Sequence, residues 1–426
     1  MSKPSTKSIV IINQYSQLPD GPGGTRHYTL AHCLTEMKIE CTLILGSAEL
    51  NTGRQRYSGW RPWKKLVVDG VNVVVIKVLP IVGNGPLRIL GMIQFSLLSF
   101  FYLCLTPISP NSVIYASTPQ PFACFAACIY SKLSKKRFIL EIRDLWPESL
   151  FSLDLMKRNS LAGKMLSLLD TFLVNQAEMV VTLLSRASEY YAGRVRSGKK
   201  FLYIPNGVTK HGHSGAIPFA GQPIKKSDLP AVSCDNKPFT FMYLGALGYA
   251  NAVHVIAESA LFLSRQIDSS MFAIKIIGAG PERHLVGKFI SDNKLANVFL
   301  LPPVPKSEIL AAVQDASCFV FHLRPANVFN YGISPNKLID YMLFGRPVIF
   351  CGGSWPNPLQ DAGVLIAANP MDPKSIADAM LALIDTPLEK RIALSLKARD
   401  YVLRYHDFAF LSDKLCSNLW PKSPGS

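Results

Sequence analysis

Residues able to hold an anion and a sugar concentrate in a few stretches. The most informative runs Tyr331-Gly332-Ile333-Ser334-Pro335-Asn336-Lys337-Leu338-Ile339-Asp340-Tyr341. Ser334 as N-cap and Pro335 at the first helical position predict a helix, which Gly345 and Pro347 end. Its first turn would offer open N–H groups, Asn336 and the Lys337 ammonium to an anion, with Asp340 one turn further on the same face. A diphosphate at the helix start and a ribose diol on Asp340 fit that spacing. So does a plain capped helix carrying an exposed Lys337–Asp340 pair.

The second and third stretches are glycine turns after β-branched runs. Gly245-Ala246-Leu247-Gly248 follows Thr240–Leu244, and Gly278-Ala279-Gly280-Pro281-Glu282 follows Phe272–Ile277. Two such turns at adjacent strand ends would let a nucleotide approach the backbone closely. A related loop, Asp20 to Arg26, contains Gly21, Gly23 and Gly24 ahead of a helix starting near Thr25. It lacks the third glycine of a dinucleotide fingerprint, so it reads either as a tight turn capped by Thr25 or as a loop in which Gly24 and Arg26 touch a phosphate or sugar. The fourth stretch, Glu141-Ile142-Arg143-Asp144-Leu145-Trp146-Pro147-Glu148, leaves a buried strand. Arg143, Asp144 and Trp146 at a sheet edge suit a sugar, the carboxylate on hydroxyls and the indole on the ring face; alternatively Asp144 caps the next helix and pairs with Arg143.

These residues need a scaffold that brings strand ends together. In the 426 residues, short β-branched runs alternate with helical lengths, the signature of parallel sheets with crossover helices. The predicted strands are Ile9–Ile12, Cys41–Leu45, Val71–Val78, Val113–Tyr115, Phe138–Ile142, Met179–Leu183 and Phe201–Ile204, then Thr240–Leu244, Phe272–Ile277, Val298–Leu301, Cys318–Phe321, Val348–Phe350 and Val364–Ile366. They imply two doubly wound α/β domains, 1–210 and 239–402, joined by a Gly-, Pro-, Ser- and Lys-rich linker at 211–238. A terminal helix in 403–426 would return to the first domain. Such a pair would place a cleft between the carboxyl ends of the two sheets.

Hydrophobic residues make up 49% of the chain and charged ones 17%, which excludes a disordered chain. The net charge of +16 is uneven: residues 1–210 hold 25 basic and 12 acidic side chains, and the remainder 20 and 17. The first half therefore faces something anionic; no nucleic-acid recognition pattern accompanies the charge, so nucleic acid is not the expected partner. Leu87–Leu105 carries only Arg88 as a charge and is nearly long enough to span a bilayer. Because it lies between strands of one predicted sheet, it reads as a helix partly packed and partly facing lipid, or as one wholly in the core. Nine scattered Cys without a CxxC pair read as reduced, buried thiols, and Ile9–Ile12 is too short an apolar run for a signal peptide, so a cytoplasmic protein is expected. The eight His show no ligand pair, His211 and His213 fall in the linker, and no DxD sequence occurs, so neither a metal nor a cofactor is expected.

Gly23–Tyr28 (GGTRHY), Arg143–Leu150 (RDLWPESL), Ile204–Val208 (IPNGV), Ile277–Glu282 (IGAGPE) and Tyr331–Met342 (YGISPNKLIDYM) together resemble the retaining family-4 glycosyltransferases of the two-domain GT-B architecture. The resemblance is closest to the fucosamine-transferase-like group of bacterial O-antigen, capsule and exopolysaccharide clusters. It implies transfer of a hexosyl unit from a nucleotide diphosphate sugar, with retained configuration, to a polyprenyl-diphosphate-linked saccharide at the anionic inner face of the cytoplasmic membrane. The family's donor-binding Glu-x7-Glu pair falls on Gly332 and Asp340, so only the second acid is kept, shortened by a methylene. The donor would then rest on Gly24, Arg26, Gly245, Gly248, Gly278, Gly280 and Gly332 to Lys337, with Asp340 on the ribose. Lys337 would meet charge on the leaving diphosphate, Asp144 would contact the reacting sugar or acceptor, and Arg143 and Trp146 would complete the acceptor side. A nucleotide-sugar epimerase of the same fold, or a non-catalytic assembly partner, are the alternatives.

Overall fold

The computed structural model describes residues 7–19, 25–49, 53–80, 86–209, 238–305, 308–353 and 355–421. The expected linker, with His211 and His213, lies outside the described residues, as does Gly24. The chain divides into two units, Met1–Pro205 with Phe408–Ser426, and Asn206–Asp407.

The first unit is built on eight strands: β1 (Ser8–Ile12), β2 (Glu40–Gly46), β3 (Trp63–Val68), β4 (Val71–Ile76), β5 (Ser112–Ser117), β6 (Arg137–Ile142), β7 (Met179–Thr182) and β8 (Lys200–Tyr203). Their spatial order is β3-β4-β2-β1-β5-β6-β7-β8. All pairings are parallel except β3 with β4. The sequence reading missed β3: Trp63-Lys64-Lys65-Leu66-Val67-Val68 sets two exposed lysines side by side at a sheet edge, so it shows neither an apolar run nor a period of two. The helices are α1 (Arg26–Glu36), α2 (Pro86–Leu105), α3 (Pro121–Leu133), α4 (Glu148–Ser152), α5 (Leu161–Gln176) and α6 (Ala187–Tyr191).

β1 is buried on both faces because helices cover both sides of the sheet. Ile9 and Ile11 join Tyr28, Leu30 and Leu34 of α1 and Phe408, Leu411 and Leu415 of the last helix in one core. α2 packs on α3, and α3 on α5. β4 and β5 lie in one sheet, so α2 between them cannot cross a bilayer without tearing that sheet. Yet only 39% of the span Leu87–Leu105 is buried, and Leu90, Ile93, Leu97, Phe101 and Leu105 form an exposed stripe at helical spacing. The thiols are not all buried: Cys104 is exposed, and Cys33 and Cys416 are half-buried.

The second unit has β9 (Phe239–Leu244), β10 (Phe272–Ile277), β11 (Val298–Leu301), β12 (Cys318–His322), β13 (Val348–Cys351) and β14 (Ile366–Ala368), in the order β11-β10-β9-β12-β13-β14 and all parallel. Its last strand lies two residues beyond the expected one. The helices are α7 (His254–Leu263), α8 (Arg283–Asp292), α9 (Ile309–Ala312), α10 (Asn336–Leu343), α11 (Pro358–Asp361), α12 (Pro373–Ile384) and α13 (Leu388–Tyr405). α14 (Phe408–Leu419) belongs to the first unit and packs on α1. Each unit is thus a doubly wound α/β sheet with crossover helices, the fold class the sequence implied.

Candidate active site

In the second unit the strand order reverses between β9 and β12, and ligands of such sheets bind outside the carboxyl ends of strands at that point. Gly245 leaves β9 there, and Leu323 and Arg324 leave β12. α10 is fastened beside them by Tyr341, whose hydroxyl donates to the Leu244 carbonyl and accepts from the Leu244 N–H, both at 2.8 Å. Its ring stacks on Phe319 at 4.4 Å.

α10 begins one residue later than the sequence indicated. Pro335 occupies the N-cap position, and its extended ψ leaves no side chain to close the helix start. Ser334 is not the cap because its groups are already engaged. Its Oγ accepts the Asn206 N–H at 2.9 Å, and its carbonyl accepts Asn206 Nδ2 at 2.5 Å. His406 Nδ1 fixes the Asn206 carbonyl in turn at 2.7 Å. Asn206 thus braces the approach to α10. Gly332, buried just before it, has φ +108°, a conformation that only glycine adopts without strain. Ile333 is buried and half-buried Pro335 is followed by exposed Asn336.

Lys337 turns inward over the switch point. Its ammonium donates to the Tyr243 hydroxyl at 2.8 Å and to Asn251 Oδ1, and it lies over the rings of Tyr243 and Phe321 at 4.9 and 5.5 Å. The exposed Lys337–Asp340 pair is therefore not what forms. Burial without a carboxylate against it lowers the Lys337 pKa to about 7. His322, whose Nδ1 lies 2.8 Å from the Asn251 carbonyl, is lowered to about 4 by burial, with positive charge from His254, Arg324 and Lys337 adding to the effect. Arg324 lies over Tyr249 at 4.3 Å. Four basic side chains thus share one small region at a strand-end crevice. Asp340 is half-buried one turn along α10.

The glycine turns have a reason the sequence reading did not give. Gly245 N–H donates to the Ile277 carbonyl at 3.0 Å and Leu247 N–H to the Ala279 carbonyl at 2.9 Å, so the two loops continue the β9–β10 pairing. A Cβ on Gly278 would meet the Gly245 carbonyl oxygen at 1.9 Å, and one on Gly280 the Leu247 oxygen at 2.4 Å. Gly278 and Gly280 therefore serve loop-to-loop packing, and are not shown as ligand contacts. Gly245 differs: a Cβ there would lie 3.5 Å from Lys337 Cδ, in ordinary contact. Gly248 precedes the short 3-10 turn Tyr249–Asn251 that delivers Asn251 to Lys337. Gly278→Ala is expected to cost roughly 1–3 kcal/mol of stability through this backbone clash, read as a lower urea midpoint for the second unit.

In the first unit Arg26 is not at the loop surface. It is 4% exposed, and its guanidinium reaches Glu141 at 2.8 Å and the carbonyls of Ile204 and Pro205 at 2.8 and 2.5 Å. Glu141 also accepts from Tyr115 and Ser117 hydroxyls at 2.8 and 2.5 Å and contacts His27 Nε2 at 2.6 Å. Burial alone would raise the Glu141 pKa, but Arg26, His27 and the hydrogen bonds outweigh it and hold the carboxyl well below its usual range. Every N–H direction of Arg26 that the structure shows in use is internal, so its assignment to a ligand is withdrawn. Thr25 is the N-cap of α1, but its side chain makes no capping bond and instead meets Thr29.

Arg143 N–H donates to Thr118 Oγ1 at 3.0 Å, and Pro147, not Asp144, is the N-cap of α4. Among the described residues the exposed Asp144 carboxylate has no hydrogen-bond or ion-pair partner, and the nearby Arg143 favours its charged form. Trp146 is half-buried beside it. Sequence reasoning missed Tyr243, Asn251 and His322, which hold or surround Lys337. Tyr243, as the polar residue inside an apolar strand two positions before a glycine turn, was the available signal.

Residues 238–386 match the family described as glycosyl transferases group 1. No curated protein sequence matches the chain. The fold is similar to that of sucrose-phosphate synthase from Thermosynechococcus elongatus, with a TM-score of 0.67, 13% identity, and coverage of 97% of this chain and 98% of that one. A trehalose-6-phosphate structure from E. coli bound with UDP-2-fluoro glucose aligns with a TM-score of 0.72, 11% identity, and coverage of 98% and 100%. Anabaena HepE in complex with UDP and glucose aligns with a TM-score of 0.64, 15% identity, and coverage of 97% and 99%.

Proposed function

We propose that the chain is a retaining glycosyltransferase that moves a hexosyl unit from a nucleotide diphosphate sugar, foremost a UDP-sugar, to a hydroxyl of a polyprenyl-diphosphate-linked saccharide. Bacterial surface polysaccharide synthesis at the inner face of the cytoplasmic membrane is the setting that fits. The observation that carries the reading is the Lys337 ammonium, held without a counter-charge at the switch point beside the uncapped start of α10. Such a place is complementary to a diphosphate. The match of the second unit to glycosyl transferases and the UDP ligands of two structural relatives support the same assignment.

In this reading the diphosphate takes Lys337 and the first-turn N–H groups of α10, and Asp340 faces the ribose. As the glycosidic bond to the diphosphate breaks, charge grows on the leaving phosphate, and a fixed ammonium stabilises it without reorganisation. Gly332, where relatives of the resembling family carry an acid, would leave the sugar to main-chain contacts and suit a deoxy or N-acetylated hexose. Asp144 contacts the reacting sugar or acceptor, flanked by Arg143 and Trp146.

The deciding experiment is nucleotide release from UDP-, GDP- and dTDP-sugars with and without lipid-linked acceptor. Release that requires both substrates is expected. Turnover of a nucleotide sugar to its epimer without acceptor would instead establish an epimerase, and no turnover with tight nucleotide binding a non-catalytic partner. Asp144→Asn is expected to lower kcat about a hundredfold with donor KM unchanged in the same assay; unchanged kcat would remove Asp144 from the reacting centre.

A further inference from the structure

The first unit carries a second basic site at the opposite end of its sheet, where the parallel strands begin. Lys7 precedes β1, Ser112 opens β5, and Lys135, Lys136 and Arg137 lead into β6. With Trp420 they line an open groove of about 630 Å³ that contains no carboxylate among its lining residues. A neighbouring hollow shares Lys135, Lys136 and Arg137 and adds Lys132 and the carboxylate Glu178. β6 spans six residues, so the groove lies roughly 20 Å from the Arg143–Trp146 edge. It is not part of the site already described.

The four cations are differently engaged. Arg137 is held by Glu178 at 2.7 Å and by the Leu419 carbonyl at 2.7 Å. Lys136 donates to the Ser109 carbonyl at 2.7 Å, which fixes the segment after α2. Lys7 lies over the Trp420 ring at 5.8 Å, and neither its ammonium nor that of Lys135 has a hydrogen-bond partner among the described residues. Exposed apolar residues stand close along the chain, Leu133 two positions before Lys135 and Leu105 five before the groove-lining Pro110. Leu105 at the end of α2 and Leu133 at the end of α3 are each 71% exposed, and the stripe on α2 runs down to Leu105. From Pro86 to Lys136 the chain contains no Asp or Glu.

We propose that this groove is a headgroup site for an anionic phospholipid, which holds the first unit on a bilayer with the ends of α2 and α3 in its apolar margin. Lys7 and Lys135 without a carboxylate partner, Lys136, the Glu178-paired Arg137 and an indole flank it, and phosphate with its adjoining acyl region is complementary to that combination. Apolar area next to cationic surface is the arrangement that holds peripheral proteins on anionic bilayers. A free phosphate ester would use the cations but not Leu105 and Leu133. The site stands whether or not the glycosyl-transfer reading does.

The full chain is sedimented with vesicles of phosphatidylcholine alone or mixed equally with phosphatidylglycerol. Binding to the mixed vesicles is expected, and Lys7→Gln with Lys135→Gln should weaken it roughly thirtyfold. Removing two exposed lysines of the other unit, Lys288→Gln with Lys390→Gln, should leave it unchanged. Thermal melts check folding; should the first pair melt early, Lys135→Gln alone reads the same quantity at roughly fivefold. Equal binding to both vesicle types, or equal loss from both lysine pairs, overturns the proposal. So does calorimetric binding of glycerol phosphate with unaltered vesicle binding in the variant, which would make the groove a site for a soluble ester.

Discussion

Lys337→Met is expected to lower the affinity for UDP about a hundredfold, from the loss of roughly 2–3 kcal/mol in one charge-assisted phosphate contact. Methionine keeps an aliphatic stem over Tyr243 and Phe321, so the packing around α10 survives and the loss reads the charge. Calorimetry with UDP measures it, and an affinity within twofold of the parent would take Lys337 out of the site. The pH dependence is a second, independent readout. The free protein holds Lys337 at a pKa of about 7, so the ammonium that would meet the phosphate is depleted above neutrality. Affinity of the parent should therefore fall as pH rises from 6 to 9 more steeply than that of Lys337→Met. The nucleotide's own phosphate titrates identically in both, and the difference isolates the lysine.

The same lowered pKa has a consequence for stability, of opposite sign to its value in binding. An unfolded lysine stays protonated to about 10.5, so between about 7 and 10.5 the unfolded chain binds more protons than the folded one. Stability of the second unit then rises with pH across that window, and the cost of the buried charge is fully present below 7. Lys337→Met should accordingly melt higher than the parent at pH 6, an advantage that fades towards pH 10. Desolvated or strained groups of this kind are common at functional sites, where they cost stability in the empty protein.

How far the sequence could be read depended on whether a residue's reason was local. β1 and β9 were visible because strands buried on both faces are continuous apolar runs. β3 was not, because two adjacent exposed lysines break its apolar pattern at a sheet edge. Lys337 and Asp340 were legible from helix spacing, whereas the partners that define Lys337, Tyr243 and Asn251, lie 94 and 86 residues away. Ser334 looked like a cap because cap chemistry is local; that Asn206 claims its hydroxyl from 128 positions away is tertiary. Gly278 and Gly280 invited a ligand reading, but the neighbour that excludes a side chain is another loop. Arg26 showed the same limit most fully. A basic residue after a glycine loop suggests an anion outside the protein, and the anion it meets is Glu141, 115 residues on.

That buried pair sets the second large effect. Glu141→Gln is expected to destabilise the first unit by about 3–5 kcal/mol at pH 7, because it leaves the Arg26 guanidinium buried without its counter-charge. The amide cannot accept from Tyr115, Ser117, His27 and Arg26 together, since one of its two heavy atoms is a donor. The folded-state pKa of Glu141 lies well below its ordinary value, so its contribution is present above about 4.5 and is lost as pH falls through the folded value. His27 acts in the same direction: burial lowers its pKa, outweighing the pull of Glu141, so the unfolded state binds more protons below about 6.5 and acid weakens the fold. The gap between parent and Glu141→Gln should therefore be widest near neutrality and close in strong acid, as followed by hydrogen exchange of β1, β5 and β6. Replacing both partners with apolar residues, Arg26→Met with Glu141→Leu, should recover most of the loss, because no buried charge is then left alone. If the double variant is as unstable as Glu141→Gln, the pair is not what the stability depends on, and the hydroxyls of Tyr115 and Ser117 become the groups to test.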